Sequence, residues 1–194
     1  MSPRQVTVNH KTNETDIKVK IDLDCAPGSG KAQTIEVSTG IGFLDHVYGV
    51  LLQHGGLFLA MKCNGDLWID DHHTADIALA LGTAFKDALG EVRGIRHYGT
   101  GYVSRAVVDI SGRPYCVTDL GLKREKIGEL STETIPHVFH SFATVAGIML
   151  HVDVLRGDND HHRSKSAFKA FALALRQAIE HTGGADVPST KGVL

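Results

Sequence analysis

The chain has 194 residues, 42% hydrophobic and 22% charged, with a formal net charge of −2. That length supports one good core, or two small lobes sharing one, and the near-neutral charge gives no average field to draw nucleic acid or an anionic membrane surface. No apolar run reaches the roughly 18 residues of a membrane span, and the polar opening over residues 1–5 does not read as a signal peptide.

Alternating apolar and polar side chains predict strands over residues 6–12 and 16–23, the second with Ile17, Val19, Ile21 and Leu23 on one face. Pro27-Gly28-Ser29-Gly30 predicts a turn and residues 34–38 a third strand. Residues 43–54 carry Phe43, Leu44, Val47, Val50, Leu51 and His54 at helical spacing. A strand follows over 57–62, then a helix over 74–89 striped by Ile77, Leu81, Phe85 and Leu89. The second half repeats the plan, with strands at 103–110 and 115–120, a helix at 134–146, a strand at 148–155 and a helix at 164–181. The sum is an α+β chain of two ββ(β)αβα lobes, 1–94 and 95–184, with helices against sheets and the lobes packed on one another. The tail 185–194 has no periodicity.

Histidine is the outlier, at twelve copies. Asp70-Asp71-His72-His73 returns as Asn159-Asp160-His161-His162, and each copy has a further histidine upstream, His46 and His137. Imidazole is the commonest side-chain metal ligand. Neighbouring helix residues point about 100° apart, so a pair serves two ions better than one. The duplication therefore predicts two metals shared by two equivalent lobes. Residues at i and i+4 share a helix face, which sets Asp76 with His72 as a two-ligand clamp. The copies differ in length: from His162 the apolar stripe runs Phe171, Leu175, Ile179, but from His73 it arrives one residue sooner, at Leu81, Phe85, Leu89.

Several residues outside the pairs suit an anionic substrate. The tail offers Ser189, Thr190 and Lys191 beside a glycine, good phosphate contacts, although charged tails are commonly just solvated. Lys169 falls one helical turn past position 165, and Arg113 sits in a turn after a strand. Glu14 lies between the first two strands, and His54 is on an apolar face as a core or supporting histidine. Cys25, Cys63 and Cys116 lack metal-ligand spacing and predict small apolar residues in a reducing, cytoplasmic setting.

With these segments placed, the chain resembles the imidazoleglycerol-phosphate dehydratases of histidine biosynthesis. The match rests on Ser38-Thr-Gly-Ile-Gly-Phe-Leu-Asp-His46, Gly65-Asp-Leu-Trp-Ile-Asp-Asp-His-His-Thr74, Ser111-Gly-Arg-Pro-Tyr115, Leu155-Arg-Gly-Asp-Asn-Asp-His-His162, Ala167-Phe-Lys169 and Val187-Pro-Ser-Thr-Lys-Gly192. The resemblance implies duplicated units of the ribosomal-protein-S5-domain-2-like type, and trimers assembled into a 24-subunit homo-oligomeric shell. It implies two Mn(II) ions per subunit at subunit interfaces, one on His46, His73 and His161, the other on His72, His137 and His162, with Asp76 in a carboxylate position. The substrate would be a phosphorylated imidazole, contacted by Glu14, His46, His54, His72, Arg113, His161, Lys169, Ser189, Thr190 and Lys191. Glu14, His46 and His73 would be catalytic. The proton removed in the family reaction is hardly acidic, and Lewis-acid metals on the ring nitrogens would make the ring an electron sink while a carboxylate shuttles protons.

The chain departs from the family pattern at four places. The family His-His-Thr-x-Glu-Asp is one residue short at His72–Asp76, the gap already visible between the repeats. Lys165 stands where the family has glutamate, and an ammonium has no lone pair for a metal. His97 replaces an arginine, and a Pro-Leu-Asp-Glu loop expected between Tyr102 and Val103 is absent. These departures predict an intact fold with impaired or altered metal affinity.

Overall fold

The computed structural model describes residues 3–25, 28–65, 70–184 and 187, the side chains of 70–72 excepted. In the first lobe β1 (Gln5–Lys11), β2 (Thr15–Asp22), β3 (Ile35–Ser38), α1 (Gly42–Gly55), β4 (Phe58–Gly65) and α2 (Asp70–Leu89) follow in order. The second has β5 (Tyr98–Gly101), β6 (Arg105–Asp109), β7 (Tyr115–Asp119), α3 (Thr134–Ala146), β10 (Met149–Asp153) and α4 (Asp160–Ala178), with a small hairpin of β8 (Lys126–Ile127) and β9 (Leu130–Ser131) before α3. The two main sheets share one topology, β1-β2-β4-β3 and β5-β6-β10-β7. In each, one inner strand, β4 or β10, runs antiparallel to the other inner strand and parallel to the strand that leads to it through a helix.

The periodicity explains the layering. β2 buries alternate residues, Ile17, Val19 and Ile21, and exposes Lys18 and Lys20 between them and Asp16 before them. α1 and α2 cover the first sheet, α3 and α4 the second, while α2 packs on α3 and α1 on α4. One continuous core therefore runs sheet, helices, helices, sheet. α1 and α3 stop at the same device, a glycine in left-handed backbone, Gly56 (φ 66°) and Gly147 (φ 69°). The three thiols are free, Cys25 and Cys63 buried and Cys116 half-buried, and burial pushes Cys63 and Cys116 up to about 12, as inert packing residues.

Both double-histidine helices start earlier than the apolar stripe suggests, at Asp70 and Asp160, so each pair lies in a first helical turn. Asn159 caps α4, its side chain accepting from the His162 N–H at 3.2 Å. The expected strand over 103–110 is β6, whereas β5, which pairs with it as a hairpin, and the β8–β9 hairpin have no counterpart in the sequence reading. β5 reads poorly as a strand because two of its four residues are glycines.

Candidate active site

α1 and α4 lie side by side, and their facing surfaces hold the densest group of predicted residues. The His46 and His161 rings stack at 5.3 Å between centroids with an interplanar angle of 26°. His162 stands edge-on to His161 at 5.4 Å, and Phe43 packs beside both His46 and His161. Next to them a cleft of about 530 Å³ is lined by His46, His54, Gln53, Asp45, Lys165 and Lys169, among others. Lys165 and Lys169 are one turn apart on α4, so both ammoniums serve the same cleft. Sequence reasoning missed Gln53 and Asp45; the His46, Gly49, Gln53 spacing on α1 is the signal that would have found Gln53. Asp45 is fixed by Thr39, whose N–H and hydroxyl both donate to its Oδ1 at 2.6 Å.

The other predicted residues stand apart from that cleft. His73 is fully buried, its Nε2 2.6 Å from the Thr39 carbonyl oxygen. Asp76 accepts from the Thr15 hydroxyl at 2.6 Å and has His10 Nε2 at 4.0 Å, which ties α2 to the β1–β2 hairpin that also carries Glu14. Arg113 is exposed in the turn between β6 and β7, and His137 is exposed on α3. The side chain of His72, and all of Ser189, Thr190 and Lys191, lie outside the described residues. Among the described residues no group of three or more His, Cys, Asp or Glu side chains converges as a metal site. His97 is buried, with left-handed backbone (φ 74°) and Nδ1 3.3 Å from Asp109 Oδ1, a position unsuited to contacting a phosphate in solvent.

Burial, reinforced by the Lys165 ammonium, holds His46 below the usual histidine range. Burial first, then His46, His162 and Lys165, does the same to His161, and burial followed by Lys169 and Lys165 to His54. Burial outweighs the opposing pull of Asp109 to lower His97. Each of these groups binds a proton less readily folded than unfolded. Their stabilisation is therefore present above the ordinary histidine pKa of 6.5 and is lost as pH falls below it. Thermal melts of chelator-treated protein from about pH 7.5 to about pH 5.5 are expected to show a falling Tm; a flat or rising Tm would contradict these environments.

The fold is shared with known proteins. Imidazoleglycerol-phosphate dehydratase from Staphylococcus aureus subsp. aureus N315 superposes with a TM-score of 0.80 at 31% identity, covering 92% of this chain and 99% of that one. The family model for imidazoleglycerol-phosphate dehydratase matches residues 39–175. The chain belongs to the imidazoleglycerol-phosphate dehydratase family. The enzyme of that name from Phaffia rhodozyma is 60% identical over 198 residues, 98% of this chain and 96% of the relative. Its counterpart from Torulaspora delbrueckii is 52% identical over 222 aligned positions, covering both chains in full. The latter alignment is longer than the 194 residues here, so that relative carries stretches this chain lacks. Among the described residues no helix is long and apolar enough to cross a membrane.

Proposed function

We propose that the chain is a hydro-lyase that eliminates water from imidazole glycerol phosphate to give imidazole acetol phosphate, within histidine biosynthesis and in the cytoplasm. The observation carrying this reading is the α1–α4 cleft, where two ammoniums face stacked and neighbouring imidazoles, in a chain 60% identical to a dehydratase of this name. Lys169 and Lys165 would hold the phosphate, joined by Arg113 and by Ser189, Thr190 and Lys191 of the tail. Glu14 would move the proton. The two lobes, 1–94 and 95–184, would act as one unit, with 185–194 as a phosphate-binding tail.

The chemistry calls for a metal, and the residues fit one in part. The exposed His46 and the half-buried His161 stack into one half-site, and the exposed His137 and His162 would each supply an imidazole to another. Mn(II), up to two ions per subunit, would supply Lewis-acid charge that makes the substrate imidazole an electron sink. Neither half-site has three ligands within the described part of one chain, which supports ions shared between subunits of a homo-oligomeric shell, in the 24-subunit arrangement of trimers. His73 is buried, and Asp76 accepts from Thr15 through one carboxylate oxygen, which leaves the other for an ion.

A second reading, a family member with weakened catalysis that keeps its shell, is favoured by Lys165 beside His46 and by the missing loop after Tyr102. Steady-state assay of imidazole glycerol phosphate dehydration separates the two. Turnover that requires Mn(II) is expected; assembled, metal-supplied protein without turnover would leave the second reading standing.

A further inference from the structure

α2 and α4 are the same element in two lobes, and their burial fixes how they correspond. Thr74 matches Ser164, Ile77 matches Ala167, Leu81 matches Phe171, Phe85 matches Leu175 and Leu89 matches Ile179, all buried at one constant spacing. Thr74 and Ser164 even share a buried hydroxyl without a partner among the described residues. Continued one residue back, the same spacing sets His73 against Arg163, not against His162. The sequence motif aligns the two pairs one way, and the packed helices align them another.

The contacts of His73 agree with the packing. Arg163 Nε donates to the carbonyl of Leu120 at 2.7 Å, and His73 Nε2 sits 2.6 Å from the carbonyl of Thr39. Leu120 and Thr39 occupy matching places, each directly after the parallel strand of its sheet, β7 and β3. Each is followed by a glycine in left-handed backbone, Gly121 (φ 56°) and Gly40 (φ 85°). A glycine flanks each side chain as well, though one residue apart in strand register: a Cβ on Gly157 would come within 3.3 Å of Arg163 Cγ, and one on Gly65 within 2.7 Å of His73 Nδ1. His162, by contrast, is exposed.

We infer that His73 is a structural anchor and not a metal ligand: the residue missing from the first copy has slid it by one position, about 100° of helix rotation, into the slot that Arg163 fills in the second lobe. With Nε2 donating to Thr39, only Nδ1 keeps a lone pair, and it faces Gly65 inside the same lobe. An ion held by His46 and His161 of another subunit therefore loses its third imidazole. The chain binds fewer than two Mn(II) ions per subunit tightly. This rests on the metal reading above, and its test separates the two.

Mn(II) stoichiometry of the purified assembly, by elemental analysis after dialysis against free Mn(II), is the first measurement. One tight ion per chain supports the inference, and two overturn it. None supports the slot assignment and counts against the metal reading, so the two failures are distinguishable. A serine inserted between Thr74 and Ala75 realigns the pair with the packed helix, putting His73 in the exposed slot and Thr74 in the buried one; it is expected to add one ion per chain. His73→Arg, which copies the second lobe, is expected to keep both the Mn(II) content and the Tm in chelator. His73→Ala should lower that Tm by about 5 °C. Loss of an ion in His73→Arg with Tm retained would overturn the assignment. Should neither variant fold, the stoichiometry of the unaltered chain still decides.

Discussion

Gly101→Val is expected to yield little or no folded protein, and Gly99→Val to do the same. Both glycines lie on β5, which runs directly across α4. A Cβ at Gly99 would sit 1.8 Å from the Ala174 carbonyl oxygen, and one at Gly101 1.9 Å from that of Ala170. These obstacles are helix backbone, which has no rotamer to change, so strand and helix must separate. Overpacking a core typically costs about 1–3 kcal/mol, and separation from rigid backbone puts these variants at or above the upper end. For a chain of this size that lowers Tm by at least about 6–12 °C. The consequence reaches the site, because α4 carries His161, His162, Lys165 and Lys169. Thermal melts and size-exclusion profiles of both variants check the prediction. Soluble variants melting within about 2 °C of the unaltered chain would show that β5 and α4 are not in this contact.

Those glycines also show why β5 was illegible in the sequence. A strand is recognised by side chains that alternate between core and solvent, and β5 exposes Tyr98 and Thr100 while its buried positions have no side chain at all. What occupies the buried side is α4 backbone, a fact about tertiary packing. The elements with real stripes were readable: β2 through Ile17, Val19 and Ile21, α3 and α4 through their phenylalanines. The duplicated plan was readable too, since both sheets have the same strand order. The α1–α4 cleft was partly readable, in that His46, His54, His161 and Lys169 all carry motif signals and all stand on these two helices. The direction in which His73 points was not. A motif aligns residues by identity, whereas the helix places them by rotation, and one absent residue separates the two. The sequence comparison of the copies contained the shortfall; only the buried contact with Thr39 shows which part of the helix absorbed it.

Lys165→Glu is expected to tighten Mn(II) binding by at least tenfold and to raise KM for the phosphorylated substrate. The Lys165 ammonium lines the cleft with His46 and contributes to lowering both His46 and His161. A unit charge about 5 Å from a unit charge is worth about 3 kcal/mol at an effective dielectric near 20. Lys165 is only half-buried, so solvent screening reduces that figure, and tenfold, about 1.4 kcal/mol, is the conservative expectation. The substitution removes a repulsive charge and adds a carboxylate one helical turn from His161, the i, i+4 relation that lets both reach one ion. Lys165→Gln, which only removes the charge, should give a smaller gain. The opposite effect on substrate follows from the same geometry, since Lys165 and Lys169 share the cleft and the phosphate would lose one of two ammoniums. Titration calorimetry with Mn(II) alone reads the first effect, and steady-state kinetics at saturating metal reads the second. Equal Mn(II) affinity in all three proteins would mean that no ion binds near His46 and His161. Tighter metal with unchanged KM would place the phosphate on Lys169 without help from Lys165.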